Sequence, residues 1–386
     1  MDDKTFWLVC DGANNCHCDW RVTIVDCVEG HVMFYIYLVN AIFSLIAALL
    51  VGGLLIYRVA YKQMTIFDYT RSPRHFARPR PIESLLFFGT IFNFLRAIDA
   101  ALIVTDALSN KIFRAFFYEL PWQFGICAFT CYLYGIAHTV SHSSKVIQNN
   151  WFKSLILIDI SCTAMLILPF ISNNICSIAA AIYAERGDLV KAKIFTDALY
   201  FFWTFYCFLL ASWIVFAGLR LLKILRHHLD NQHDPEGSTV HKIKNGRFKV
   251  KMIMSISVTS LLVFSFVKCI YGIFRVNLLL HSEFNLALAC IWTFDGTLAS
   301  MLVVVSLLIT PKALSPLDSS SGELESSSQS DFSRGRLSNN TKGGFSRSRD
   351  TISKNGFRGR EVLVPESPYH GEYPASKCPI EKGLAV

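Results

Sequence analysis

Apolar residues in this chain fall into long, nearly uninterrupted blocks. The blocks cover residues 32–57, 84–105, 119–137, 154–171, 198–219, 250–273 and 284–309. At 1.5 Å per residue, each is long enough to cross a hydrocarbon core about 30 Å thick. Within lipid a backbone must satisfy its own hydrogen bonds, which a helix does and an isolated strand does not. A transmembrane barrel would alternate apolar and polar positions over segments of about ten residues, whereas these blocks are continuous. The pattern predicts an all-α, polytopic membrane protein with seven transmembrane helices in a receptor-like bundle. After Ile171 the run breaks at Ser172, Asn173 and Asn174 and resumes over 175–183. That second stretch is too short to cross alone, and reads as a lumenal loop or an extension of the fourth span.

Composition removes the other classes. Of 386 residues, 52% are hydrophobic and only 17% charged, with a mean hydropathy of +0.38. A soluble domain carries about 25% charged residues, so this chain could not cover a water-facing surface. The same hydrophobicity excludes a wholly disordered chain.

Lys and Arg between the spans set the expected orientation. Alternate connections carry sixteen cations on one side and eight on the other. The richer side is expected to be cytosolic, which places the N-terminus outside. Residues 1–31 show no basic start followed by a short apolar core, so the first span is expected to direct its own insertion. The organisation expected is an extracytoplasmic segment (1–31), a seven-helix domain (32–310) and a cytosolic tail (311–386).

The leading segment carries Cys10, Cys16, Cys18 and Cys27, an even set on the oxidising side of the membrane. Disulfides are the expected use, with connectivity open among three pairings. A metal site on Cys16-His17-Cys18 is the alternative, but its spacing matches no standard zinc pattern. Cys176 lies on the same side and could join the network. No cofactor, metal or direct nucleic-acid contact is expected.

Residues 220–251 form the largest cytosolic connection and open with cations at Arg220, Lys223 and Arg226. They are placed to meet an anionic cytosolic leaflet, each contributing near 1 kcal/mol, or to form a partner-binding helix. From Pro311 onward the tail holds fifteen Ser and eight Gly and no apolar run able to form a core, so disorder is expected. Ser338 and Thr351 follow arginines as basophilic kinase sites do; phosphorylation there would reverse local charge.

Ionisable residues inside the membrane are costly unless paired or hydrated. Arg96 and Asp99 share one face of the second span. Glu119 stands at the outer mouth of the third, Asp159 lies in the fourth, Lys268 in the sixth and Asp295 in the seventh. Two readings follow. They are internal pairs, Arg96 with Asp99 or Glu119 and Lys268 with Asp295, or they line a hydrated cavity open to the exterior. His138 and His142 are four apart at the cytosolic end of the third span, but no intramembrane ligand cluster accompanies them. No phosphate-cradling loop or nucleophile–base pair supports an enzyme.

Phe92-Asn93-Phe94-Leu95-Arg96-Ala97 resembles the Asn-x-x-Arg-Ala signature of the plant tobamovirus multiplication proteins. Glu119-Leu120-Pro121, Gly218-Leu219-Arg220-Leu221 and Phe266-Val267-Lys268-Cys269 are similar to further motifs of that family, in the same order. Animal orphan-receptor-like lysosomal seven-span proteins share the pattern. Two places depart from it: Tyr134-Gly135-Ile136-Ala137-His138 replaces a Trp-Ala-Glu-Ile-Tyr ending, and Asp295 is followed by Gly296 and Thr297 rather than closely by Pro. The resemblance implies a vacuolar or endomembrane protein that recruits cytosolic partners, small GTPases among them. In plants it implies support of tobamovirus RNA replication complexes. The expected function is therefore a non-enzymatic scaffold or receptor-like protein. The rival is a ligand-responsive G-protein-coupled receptor at the plasma membrane. Against it, the third span ends without an acidic-Arg-aromatic triplet and the seventh lacks Asn-Pro-x-x-Tyr.

Overall fold

The computed structural model describes residues 6–11, 15–68, 78–143, 155–230 and 238–309. Ser338, Thr351 and the rest of the tail lie outside the described residues, as do the side chain of His142 and residues 231–237. Seven helices follow in order: α1 (Gly30–Ala60), α2 (Pro81–Thr105), α3 (Lys111–Ser143), α4 (Leu155–Glu185), α5 (Leu189–Asp230), α6 (Ser238–Leu280) and α7 (Ser282–Leu308). All seven are long and apolar enough to cross a membrane, and the chain is an integral, multi-pass membrane protein. Two short antiparallel ribbons accompany them. The first pairs β1 (Leu8–Cys10) with β2 (Cys16–Cys18), and the second pairs β3 (Phe67–Asp68) with β4 (Arg78–Pro79).

Helix ends follow local chemistry. α2 starts with Pro81, whose missing N–H is no loss in a first turn, and Glu83 follows where the helix dipole favours an anion. It ends at Asp106 in the left-handed conformation, φ 49°, which the short polar side chain of Asp tolerates. α4 runs unbroken through Ser172, Asn173 and Asn174 to Glu185, so 175–183 is an extension of the fourth span and no loop. Pro121 and Pro169 lie inside α3 and α4 without ending them. α6 carries a non-helical residue at Phe274 (φ −113°, ψ 20°), a kink near its end.

Each helix packs against its sequence neighbours, α7 closes the ring onto α1, and α3 also packs on α5. α3 is the central member: 72% of its most apolar window is buried, against 28% for α1. Polarity runs inside out, as lipid requires. Ile42, Leu49 and Ile56 of α1 are exposed, whereas Asn40 and Ser44 are buried. Ser44 Oγ lies 3.1 Å from Thr297 Oγ1 of α7 and 3.2 Å from Asn40 Oδ1. Such contacts join helices where hydrophobicity cannot.

One close approach depends on glycine. A Cβ at Gly135 would lie 2.6–2.9 Å from three ring atoms of Pro81, joining α3 to the start of α2. Gly135→Val is expected to destabilise the bundle by roughly 1–3 kcal/mol, because the proline ring cannot move without the helix. Gly53→Ala, where no atom lies within 4 Å, serves as the control. Thermal unfolding of both variants in lipid nanodiscs checks the difference; equal midpoints would contradict it.

Candidate functional site

The N-terminal segment is built into one end of the bundle. Cys10 and Cys16 face each other across the β1–β2 ribbon and are joined; Cys18 is joined to Cys27. These bonds consume both cysteines of Cys16-His17-Cys18, and His17 Nδ1 sits 2.5 Å from Glu29 Oε1 instead. Cys176 is free and buried and takes no part. Among the described residues no group of His, Cys, Asp and Glu could hold a metal ion.

The loop closed by Cys18 and Cys27 delivers Asp19, Trp20 and Arg21 into the interior, and all three are buried. The Trp20 indole donates to Asn285 Oδ1 of α7 at 3.0 Å, and its backbone carbonyl accepts from Tyr37 Oη of α1 at 3.0 Å. Its ring meets Tyr118, Tyr271 and Trp292 edge-on. Asp19 accepts two hydrogen bonds from Arg21, at 2.8 and 2.6 Å, and one from Arg275 of α6 at 2.8 Å. Burial alone would raise the Asp19 carboxyl, but the Arg21 and Arg275 charges and hydrogen bonds outweigh it and hold it well below the usual carboxylate range. Arg275 also donates to Phe6 O at 2.9 Å, and Arg114 of α3 donates to Val22 O at 3.2 Å. The segment is thus clamped from α1, α3, α6 and α7.

Beneath it lie the charges within the spans. Arg96 donates to Asp99 at 2.9 Å, and its guanidinium lies 4.9 Å from the Trp122 ring centroid and 5.4 Å from that of Tyr118. Lys268 Nζ is 3.5 Å from Glu119 Oε2, which also accepts from the Trp203 indole at 2.8 Å. The same ammonium stands 3.8 Å from the Trp292 ring centroid, with Phe264, Trp203 and Tyr200 around it at 5.0–5.4 Å. Arg96 and Lys268 are both 0% exposed, so each depends on its partner and on ring faces in place of water.

Several expectations are corrected here. Lys268 does not pair with Asp295; its carboxylate is Glu119. Glu119 is not at the mouth of the third span, because α3 begins at Lys111 and carries it about 12 Å into the bundle. Asp19, Trp20 and Arg21 are buried at the end of the bundle that lies above these pairs. Arg114 and Arg275, which read as connecting-loop cations, are buried partners of the segment, and the segment's own Arg21 is buried with them. The pairing of Asp19 with Arg21, two apart in a segment of otherwise unbalanced charge, was the one local signal for this. Residues 220–226 extend the fifth span as their sequence suggests, while 227–230 and 238–251, which read as loop, are continuations of α5 and α6.

Asp159 serves the other end. It accepts from Tyr134 Oη at 2.8 Å and lies 2.8 Å from His138 Nε2, linking α3 to α4. Asp295 stands apart from every pair. Its Oδ2 accepts from Ser260 Oγ at 2.9 Å, and it borders a small cavity of about 60 Å³ lined from α1, α2, α3, α5, α6 and α7. No family model, curated protein or solved structure matches this chain.

Proposed function

We propose that this protein is a receptor-like scaffold of an endomembrane that recruits cytosolic partners through a basic projection of two helices. The single observation supporting this is the length of α5 and α6, which have 42 and 43 residues. At 1.5 Å per residue they are about 63 Å long, twice the hydrocarbon thickness, so both project beyond it. The projecting part of α5 keeps Leu221 and Ile224 buried and exposes Lys223 and Arg226. Lys244 and Lys251 are exposed on α6, while Lys249 donates to Leu307 O at 2.7 Å and braces α6 on α7. A solvent-facing cationic surface on a packed base suits acidic partner surfaces and anionic headgroups alike. The disulfides at the opposite end suit an oxidising lumen or exterior, and they support the reading in which the projection faces the cytosol. Vacuolar and related membranes fit this reading; no catalytic step is assigned to the protein.

Proximity labelling from the 223–249 region is the test. Trafficking GTPases or tethers recovered without added ligand support the scaffold. A triple variant, Lys223→Gln, Arg226→Gln and Lys244→Gln, is expected to reduce their recovery several-fold, an effect that weakens at high salt. Equal recovery from the triple variant would exclude the projection as the docking surface. The internal cavity favours a second reading, a ligand-responsive G-protein-coupled receptor at the plasma membrane. Ligand-dependent recovery of heterotrimeric G proteins would select it.

A further inference from the structure

Three interior carboxylates, Asp19, Asp99 and Glu119, each have a cationic partner. Asp295 has none within ion-pair distance among the described residues, and its polar contact there is the Ser260 hydroxyl. A lone carboxylate at this depth is costly, and such a residue marks a site when something else supplies its counter-charge. The surroundings say what kind of cation that is. The cavity beside Asp295 is walled by the aromatic rings of Phe92, Trp122 and Phe264 and by aliphatic side chains such as Val51 and Leu86. Glycines let the Phe92 ring of that wall pack closely on α3 and α7: a Cβ at Gly296 would run into the ring, and one at Gly125 would lie 3.3 Å from it. A metal ion would need six or so oxygen ligands, and Asp295, Ser260 and Ser300 are too few. An organic ammonium needs a carboxylate, ring faces and an apolar wall for its body, which are the groups present.

We propose that this cavity binds a lipophilic amine, with its protonated nitrogen on Asp295 and its hydrocarbon body among Phe92, Trp122 and Phe264. The ammonium donates to the Asp295 carboxylate, and Ser260 holds that carboxylate from the α6 side. The amine supplies the counter-charge that an ionised Asp295 lacks, so the site distinguishes a cation from a neutral molecule of equal shape. The site is separate from the projection of α5 and α6, so binding is measurable whether or not that surface recruits partners.

The test uses the full chain in phosphatidylcholine nanodiscs, with equilibrium binding of radiolabelled phenylbutylamine and of its neutral counterpart phenylbutanol at neutral pH. The wild type is expected to hold the amine at least roughly tenfold more tightly than the alcohol, the worth of a charge-assisted hydrogen bond in an apolar site. Asp295→Asn is expected to remove that preference while alcohol binding is retained, which also reports an intact cavity. Ala299→Leu, on the cavity wall, is expected to weaken both compounds while the thermal midpoint stays within a few degrees. Equal affinity of the wild type for amine and alcohol would show an apolar filler site, for a lipid chain for example, and would overturn the proposal. So would no measurable binding of the amine, or an amine affinity unchanged by Asp295→Asn. The wild-type comparison decides alone should either variant fail to fold.

Discussion

Asp19→Asn should lower the thermal midpoint of the nanodisc-embedded protein by roughly 6–20 °C, from a loss of about 3–5 kcal/mol. The substitution keeps shape and removes the charge that both Arg21 and Arg275 face inside the bundle. Two guanidiniums would then be buried without an anion of their own. Arg21 has one other carboxylate in reach, Glu119 at 3.9 Å, and that group already serves Lys268. Removing one orphan should recover part of the loss. Asp19→Asn with Arg275→Gln is therefore expected to be more stable than the sum of the single effects predicts. Strict additivity would mean the two residues do not act as a pair. A pH scan gives an independent reading. The folded protein holds the Asp19 carboxyl below its ordinary value of 3.8. The stabilisation is thus fully present at neutral pH, begins to fall as pH drops through that value, and goes on falling towards the folded one. Asp19→Asn should flatten this acid limb below about pH 4, and an unchanged limb would count against the assignment.

How much of this was legible in the sequence depended on which side of the lipid boundary a residue lies. Apolar blocks of membrane length have one solution, so the seven helices could be read directly, down to the buried Arg96 and Lys268. Helix ends were less legible, because water tolerates polar residues on a helix as readily as in a loop. Lys111–Tyr118 carries two cations and read as connection, yet it is the first two turns of α3. That shift moved Glu119 from the mouth into the interior and gave Lys268 a different partner. Ser172, Asn173 and Asn174 looked like a break for the same reason, although Asn174 is satisfied across the bundle by Gln123 at 2.5 Å. Arg275 read as outside because it lies two residues beyond the apolar block that ends at residue 273. A kink at Phe274 and a partner some 250 residues away in sequence, Asp19, are not local properties. What could not be read at all was the seat of the N-terminal segment. Its cysteine count showed that it was braced, but the destination of Trp20 rests on four helices at once.

Trp20→Ala should be the most damaging single change among the neutral residues, costing about 3–5 kcal/mol. The indole is fully buried, and its removal would leave a large void between Tyr118, Tyr271 and Trp292 and an unpaired Asn285 oxygen. Trp20→Phe separates the two contributions, since it keeps most of the ring contacts and loses the 3.0 Å hydrogen bond; about 1 kcal/mol is expected for that loss. The Cys18–Cys27 bond acts on the same residues by a different route, closing the loop that carries Asp19, Trp20 and Arg21. A closed loop of this size is worth about 2–3 kcal/mol in the chain-entropy account. Replacing both cysteines by Ser should therefore destabilise less than Trp20→Ala. Because bond and indole hold one segment in place, the combined variant should lose less than the sum of the two. A segment already released by Trp20→Ala has little left for the disulfide to hold. Thermal unfolding of the three variants in one lipid composition measures this coupling, and losses that simply add would mean Trp20 and the disulfide stabilise the bundle separately.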